Sequence, residues 1–411
     1  MKFYKENDFK ETQIGRIPKD WKVVKLEDNE VSYLIKSGST PSRNKVDYWN
    51  GTIPFVTIGD MTKTIKYLYD TESKITEFAL KNSNTFLVAK DSILLSMYGT
   101  IGKIVINKIA TAISQNIAGI IPNRENVDVE FLHYALMHFS FQFKSAKIIT
   151  LKHLDIQMVK NTKIPLPPLN EQRAIAEILS TVDEAIQKID EMIAKTERLK
   201  KGLMQELLTK GIGHKEFKDT EIGRIPKDWE VVKLEKVIEI WDKYRIPVKE
   251  QDRKPGSFPY CGANGIIDYV NGYTHDGEFV LLAEDGGFFG SFENSAYIMR
   301  GRFWANNHVH ILKAIEGVLI NEFLMFYLNF MNLVPFLTGS TRPKLTQEDL
   351  KRIPVLLPSL SEQQKIAEIL STVDKKLEIE RKEKAKLERI KQGLMDLLLT
   401  GKIRVRIEGV K

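Results

Sequence analysis

The chain has 411 residues, more than one hydrophobic core ordinarily serves, so two globular units are the starting expectation. Hydrophobic residues at 43% and charged residues at 28% exclude a disordered polar chain, and 61 Lys+Arg against 54 Asp+Glu leave a net charge of +7, which suits a polyanionic partner without requiring one. A single cysteine, Cys261, excludes an intramolecular disulfide and a cysteine-cluster metal site.

The opening MKFYKENDFKETQIG has no signal-peptide core, and no stretch reaches the roughly 18 apolar residues of a membrane span, so a cytoplasmic location is expected. Residues 11–28, ETQIGRIPKDWKVVKLED, return at 219–236 as DTEIGRIPKDWEVVKLEK, identical at 14 of 18 positions. A repeat this close marks a duplicated structural unit.

An insert follows at about 29–145. Its β-rich runs IPFVTIG, TFLVA, SILLSMYG, KIVIN and IAGIIP are divided by turn residues, and it then changes period in VEFLHYALMHFSFQFKSA, which predicts a helix.

The proline run IPLPPLNEQ predicts an extended approach to a long helix over about 171–208, with Asn170 as cap and Glu171 in the first turn. Apolar residues spaced by three and four, Ile175, Ile178, Val182, Ala185, Ile189, Met192, Leu199 and Leu203, predict a coiled-coil seam interrupted at Thr196. Such a helix would run roughly 57 Å at 1.5 Å per residue, so it needs a partner along its length. Gly211 marks its stop.

The second insert, about 237–335, keeps the order of the first with FPYCGANG, EFVLLAEDG, SAYIM and WANNHVHIL before the helical VLINEFLMFYLNFM. LSEQQKIAEILSTVDKKL at 360–377 then repeats residues 169–186 at 12 of 18 positions, with Ser361 as the corresponding cap. Its seam is expected at Ile366, Ile369, Val373, Leu387, Ile390 and Leu394, with Lys376, Glu380 and Glu383 in the middle, where Leu377 and Ile379 are alternatives. Gly401 and a basic tail close the sequence.

The expected fold class is therefore α+β, with two globular modules separated by two long antiparallel coiled-coil helices in a pseudo-two-fold arrangement. The expected segments are 1–165, 166–213, 214–356 and 357–411. Near-identical frames around unlike inserts favour two recognition modules on one scaffold.

No catalytic constellation emerges. GTIGK at 99–103 lacks the first glycine of a phosphate-binding loop, and EDGGFFG at 284–290 predicts only a turn. His308 and His310 alternate on a strand without a third ligand cluster, so core or DNA-facing histidines are expected there and no metal site.

The duplicated IGxIPxDW openings, PLPPLxEQ-type helix starts, IAEILSTVD and GLMxxLLT endings resemble, across the whole chain, the specificity subunits of type I restriction-modification systems. GSTP before YWNGTIPFV, and WANNHVHIL with GSTRPKL, are similar to two subtypes of that family's target recognition domains. The resemblance implies that each module reads one half of a gapped, asymmetric site on double-stranded DNA while the helices set the spacing. It also implies two modification subunits that methylate adenine with S-adenosylmethionine, and two restriction subunits that use ATP and magnesium. No cofactor and no catalytic residue is then expected in this chain.

Base reading needs hydrogen-bonding side chains at base edges, and Lys and Arg on phosphates. The candidates for the first half-site are Ser39, Thr40, Ser42, Arg43, Lys103, Gln115, Asn116, Lys152 and His153. Those for the second are Lys243, Arg245, Asn264, Asn306, Asn307, His308, Thr341, Arg342 and Lys344, although Asn306 and Asn307 also suit a turn. Rival readings are a helical assembly protein whose modules bind protein or glycan, and a self-sufficient nuclease or methyltransferase.

Overall fold

The computed structural model describes residues 1–139, 153–341 and 343–406. The chain divides into two compact units, Met1–Lys188 with Lys384–Lys411, and Ile189–Glu383. Each long helix therefore contributes one stretch to each unit. Among the described residues, no helix is long and apolar enough to cross a membrane.

The repeated frames fold alike. In the first unit the hairpin Phe9–Thr12 with Gly15–Pro18 turns at Gly15, whose φ of 104° suits glycine, and the second unit repeats it in Phe217–Thr220 with Gly223–Pro226. Next, Lys22–Lys25 pairs antiparallel with Lys163–Leu166, as Glu230–Lys233 pairs with Pro354–Leu357. Between hairpin and strand stands a fully buried tryptophan, Trp21 or Trp229.

These tryptophans explain why two distant sequence blocks recur together. The Trp21 indole donates to Glu171 at 3.3 Å, and Trp229 to Glu362 at 3.0 Å, so the opening block of each frame is hydrogen-bonded to the first turn of its helix. The rest of the carboxylate is served differently in the two units. Arg404 donates to Glu171 at 2.7 and 2.8 Å and also reaches Glu6 and Asp20. Glu362 instead bonds His214 and the Ile212 amide, both at 2.8 Å. The strand Lys2–Lys5, paired with Ile403–Arg406, belongs to the first unit.

The inserts differ more than their common order suggested. The first unit has a five-stranded sheet, in the order Ser32–Ser37, Ile117–Pro122, Ser92–Ser96, Ile104–Asn107 and Tyr67–Leu68, antiparallel except for the last pair. A four-stranded sheet accompanies it. The second unit has one six-stranded sheet, in the order Ile238–Ile240, Val309–Ala314, His275–Ala283, Ala296–Ala305, Pro255–Gly262 and Gly265–Val270.

Each insert ends in a helix, α1 (Val129–His138) or α3 (Asn321–Phe330). Asp128 caps α1 by accepting from the Phe131 amide at 3.0 Å. A glutamine ties each helix start to the frame: Gln172 accepts from the Asp128 amide and Gln363 from the Ile320 amide. The remainder of the first predicted helix, from residue 140, lies outside the described residues.

The long helices are α2 (Leu169–Lys210) and α4 (Leu360–Leu399). Both begin before the expected caps, so Asn170 and Ser361 lie inside the first turn. The Pro168 and Ser359 carbonyls accept the first amide hydrogen bonds instead. Gly211 and Gly401 end the helices with φ of 68° and 69°, as expected.

The seam differs from the expected one. On α2 the inward stripe runs through Ile175, Leu179, Val182, Ile186, Ile189, Ile193, Thr196, Lys200 and Leu203, with Thr196 buried within it. Ile178 is only half-buried, while Met192 and Leu199 are exposed, Leu199 to 52%. On α4 the stripe is Ile366, Leu370, Val373, Leu377, Glu380, Lys384, Leu387, Lys391 and Leu394, leaving Ile369 and Ile390 exposed and Ile379 64% exposed. Glu380 does not interrupt the seam; it is a buried part of it.

Within each unit the helix stretches run antiparallel. In the first, Lys391 pairs with Asp183 at 2.6 Å; in the second, Lys200 pairs with Asp374 at 2.6 Å and Arg381 with Glu197 at 2.8 Å. Rising numbers on one helix meet falling numbers on the other.

Candidate nucleic-acid interface

In the first unit, loops from four neighbouring strand ends converge. Residues 38–45 leave Ser32–Ser37, residues 97–103 join Ser92–Ser96 to Ile104–Asn107, and residues 114–116 precede Ile117–Pro122. Backbone bonds weld them together: the Gly38 amide donates to Ile117, Ser39 to Ile113, and Met97 to Asn116. Gly38 is required by space, because a Cβ there would collide with the Ile113 and Ser114 carbonyls.

Ser39, Thr40, Gln115, Asn116, Lys103 and His153 are thus brought together. The Thr40 hydroxyl donates to the Gln115 side-chain carbonyl, orienting the exposed Gln115 amide. Lys103 is half-buried, donates to the Ile65 carbonyl at 3.4 Å, and has its ammonium pushed below the ordinary lysine range by that burial. Ser42 and Arg43 sit farther along their loop, at Trp49: the Ser42 carbonyl accepts from the Trp49 indole at 3.1 Å and the Arg43 guanidinium lies 5.0 Å over the ring. Lys152 lies outside the described residues.

Tyr98 was not anticipated. Its exposed ring stacks on His153, with centroids 5.1 Å apart and planes 3° from parallel. An aromatic inside the glycine-rich MYGTIG turn is a signal that the sequence reading passed over. Residues 99–103 form a turn between strands, with positive φ at Gly99 and Gly102 and no helix following, which is incompatible with a phosphate-binding loop.

In the second unit the candidates gather around residues 284–286. The Glu284 amide donates to the His308 carbonyl, and the Leu345 amide to the Glu284 carbonyl. Asn264 donates to the Gly286 carbonyl at 3.1 Å, and His308 pairs with Asp285 at 2.7 Å. Asn306 is buried and accepts from the His308 amide, so it closes the turn, whereas Asn307 is exposed.

Arg245 and Lys344 are not free cations. Both bond Glu284, Lys344 at 2.5 Å, and Arg245 also reaches the Val309 carbonyl and Asp242. Burial works to raise the Glu284 carboxyl, but the hydrogen bonds from Lys344 and Arg245 outweigh it and hold it below the usual carboxylate range. Lys243 is exposed, 4.7 Å over the Tyr244 ring, and Thr341 is exposed; Arg342 lies outside the described residues.

His310 faces the interior, bonding Asp242 at 2.6 Å and the Leu345 carbonyl at 2.8 Å. Asp242, Glu284 and His310 offer ligand-type atoms within 4.8 Å of one another. With Arg245 and Lys344 already on Glu284, this cluster is a charge-compensated ion-pair network. His310 and Glu284 stand in the NNHVH and EDGGFFG runs, whereas Asp242 carries no periodic or motif signal in the sequence.

Two α+β modules on one repeated frame, each presenting a polar loop cluster, define a tandem recognition protein. The sequence matches the type I restriction modification DNA specificity domain over residues 18–198 and again over 226–389, and the chain belongs to that family. Two relatives from Methanocaldococcus jannaschii, a putative type I restriction enzyme MjaX specificity subunit and the MjaVIII specificity subunit, are 32% and 33% identical; 99% of this chain is covered in each case, and 99% and 98% of the relative. In fold, the chain is similar to the type I restriction-modification S subunit from M. genitalium, with a TM-score of 0.59 at 16% identity over 92% of this chain and 96% of that one. The chain is a type I specificity subunit.

Proposed function

We propose that each unit reads one part of a two-part, gapped and asymmetric DNA sequence, and that the helix pair fixes the distance between the parts. One observation carries this reading. The frames share one tryptophan-to-glutamate bond, Trp21 to Glu171 and Trp229 to Glu362, while the inserts they carry fold into different sheets with differently held loops. Like mounts with unlike readers make an asymmetric site.

Phosphate contacts from lysines and arginines supply affinity, and the loop side chains supply sequence preference. The helices also dock two modification subunits, and restriction subunits join that assembly. Methylation with S-adenosylmethionine, and cleavage with ATP and magnesium, belong to those partners, and the assembly works in the cytoplasm. The expected spacing between half-sites is about one helical turn of DNA, roughly 10 bp.

Mapping methylated adenines across the host genome, with and without this gene, tests the reading. A two-part motif that disappears with the gene is expected. Loss of the gene without any change in methylation would refute it.

A further inference from the structure

The two units present their unlike loops from one shared anchor. The 191-residue offset of the second frame block places Leu345 opposite Leu154 and Lys344 opposite His153. Both leucines are buried, and both amides make the same bond: Leu154 donates to the Met97 carbonyl at 2.9 Å, and Leu345 to the Glu284 carbonyl at 2.8 Å. The residue just before each leucine is thereby delivered to the loops at the strand ends.

What holds that residue differs. His153 lies flat against Tyr98, which follows Met97. Lys344 is held by the carboxylate of Glu284 itself, which also takes Arg245. Reciprocal backbone bonds, both 2.9 Å, tie Lys344 to Thr338, and Asp285 bridges to Lys344 along the backbone.

We propose that Glu284 is a positioning residue for DNA reading by the second unit, seating Lys344 and the Thr338 backbone bonded to it as Tyr98 seats His153 in the first. This rests on the DNA-reading function proposed above. An ammonium locked onto a buried carboxylate serves poorly as a phosphate contact, so Lys344 acts by fixing the backbone it shares with Thr338 and Asp285 rather than through its charge. Glu284→Gln keeps the side-chain shape and leaves Arg245 paired with Asp242 and the Val309 carbonyl, but it removes the negative charge that holds Lys344.

The test uses the full chain purified from its host with the subunits that accompany it, selecting duplexes from a random-sequence DNA library. The wild type should select a two-part motif. Glu284→Gln and Lys344→Met should each flatten base preference in the same part by about ten-fold, leaving the other part intact, and Tyr98→Leu should flatten the opposite part. The slope of affinity against salt should stay unchanged in Lys344→Met, because a lost phosphate contact would lower it by about one.

A wild-type protein that selects no motif would overturn the DNA-reading function itself. Second-unit variants that select the undiminished motif, or a Lys344→Met slope lowered by about one with the motif intact, would overturn the role of Glu284 alone. Should Glu284→Gln unfold early in a thermal melt, Lys344→Met decides the matter, since that side chain is 45% exposed, and Lys344→Arg should restore the preference.

Discussion

Tyr134 and Phe326 hold the same place in the two units: Lys391 lies 5.7 Å over the first ring and Lys200 5.7 Å over the second. Each lysine also pairs with an aspartate of the opposing helix, Asp183 or Asp374. One joint, made of ring, cation and carboxylate, thus fastens α1 or α3 onto the helix pair within its own unit. The tyrosine hydroxyl adds a bond to Asp183 at 2.6 Å, and the buried Lys66 donates to that hydroxyl, to Ser180, and pairs with Glu130.

Removing this buried cation should destabilise the first unit. Lys66→Met leaves Glu130 only its longer pairing with Lys108 at 3.6 Å and is expected to cost about 2 kcal/mol, whereas Lys200→Met, at a lysine 19% exposed against 9% for Lys66, should cost about 1 kcal/mol. Thermal unfolding of the two variants checks this, with Lys66→Met melting several degrees lower. Equal melting temperatures would contradict it.

The first unit should also weaken in acid. Burial, with the nearby cations of Lys66, Lys391 and Lys103, pushes the His133 imidazole down to about 3. Its folded value lies below the ordinary 6.5, so the unfolded chain takes up the proton first. Stability is full above that ordinary value and falls as the pH drops from there toward 3, by up to ~1.4 kcal/mol per pH unit from this group. Denaturant titrations at several pH values should show a shallower loss in His133→Leu.

The Thr196–Glu380 layer should be costly. The threonine hydroxyl donates to one carboxylate oxygen at 3.2 Å, both residues are buried, and the other oxygen has no hydrogen-bond partner. The repeat places Leu387 and Ile189 at the corresponding positions. The double variant Thr196→Leu with Glu380→Ile should therefore be neutral or stabilised by roughly 1–3 kcal/mol, as replacement of buried ionic groups often is. A fall in melting temperature would show that the polar layer is net stabilising.

Lengthening the helices should lengthen the gap in the DNA site. An insertion near Leu203 alone would rotate Leu207 and Leu208 out of the second unit's core. Seven-residue insertions after both Lys188 and Glu383 keep the heptad phase and add about 10.5 Å, the rise of about three base pairs. Methylation mapping should show the longer gap, and an unchanged gap would exclude the helix pair as a spacer.

Periodicity revealed that the helices pair but not which face pairs. On α2 the heptad positions of Ile178, Ala185, Met192 and Leu199 are as apolar as those of Leu179, Ile186 and Ile193, and both stripes share Ile175, Val182 and Ile189. Burial chose the second stripe, although it includes Lys200, because the long lysine side chain carries its ammonium to the Phe326 ring of α3 and to Asp374. The loops were legible as clusters of polar residues at strand ends. What held them was not, since Glu284 and Tyr98 meet their partners through pairings distant in sequence.

The first unit has a consequence for synthesis. Met395, Leu398, Leu399 and Val405 complete the core around Trp21 and Leu26, so that core is assembled from both sides of the residues forming the second unit. A ribosome delivers Ile189–Glu383 in full before it delivers these four side chains. Domains ordinarily mature in the order of translation, but here the unit begun first is the last to close. Until residues past 383 emerge, its apolar interior stays open to chaperones and proteases.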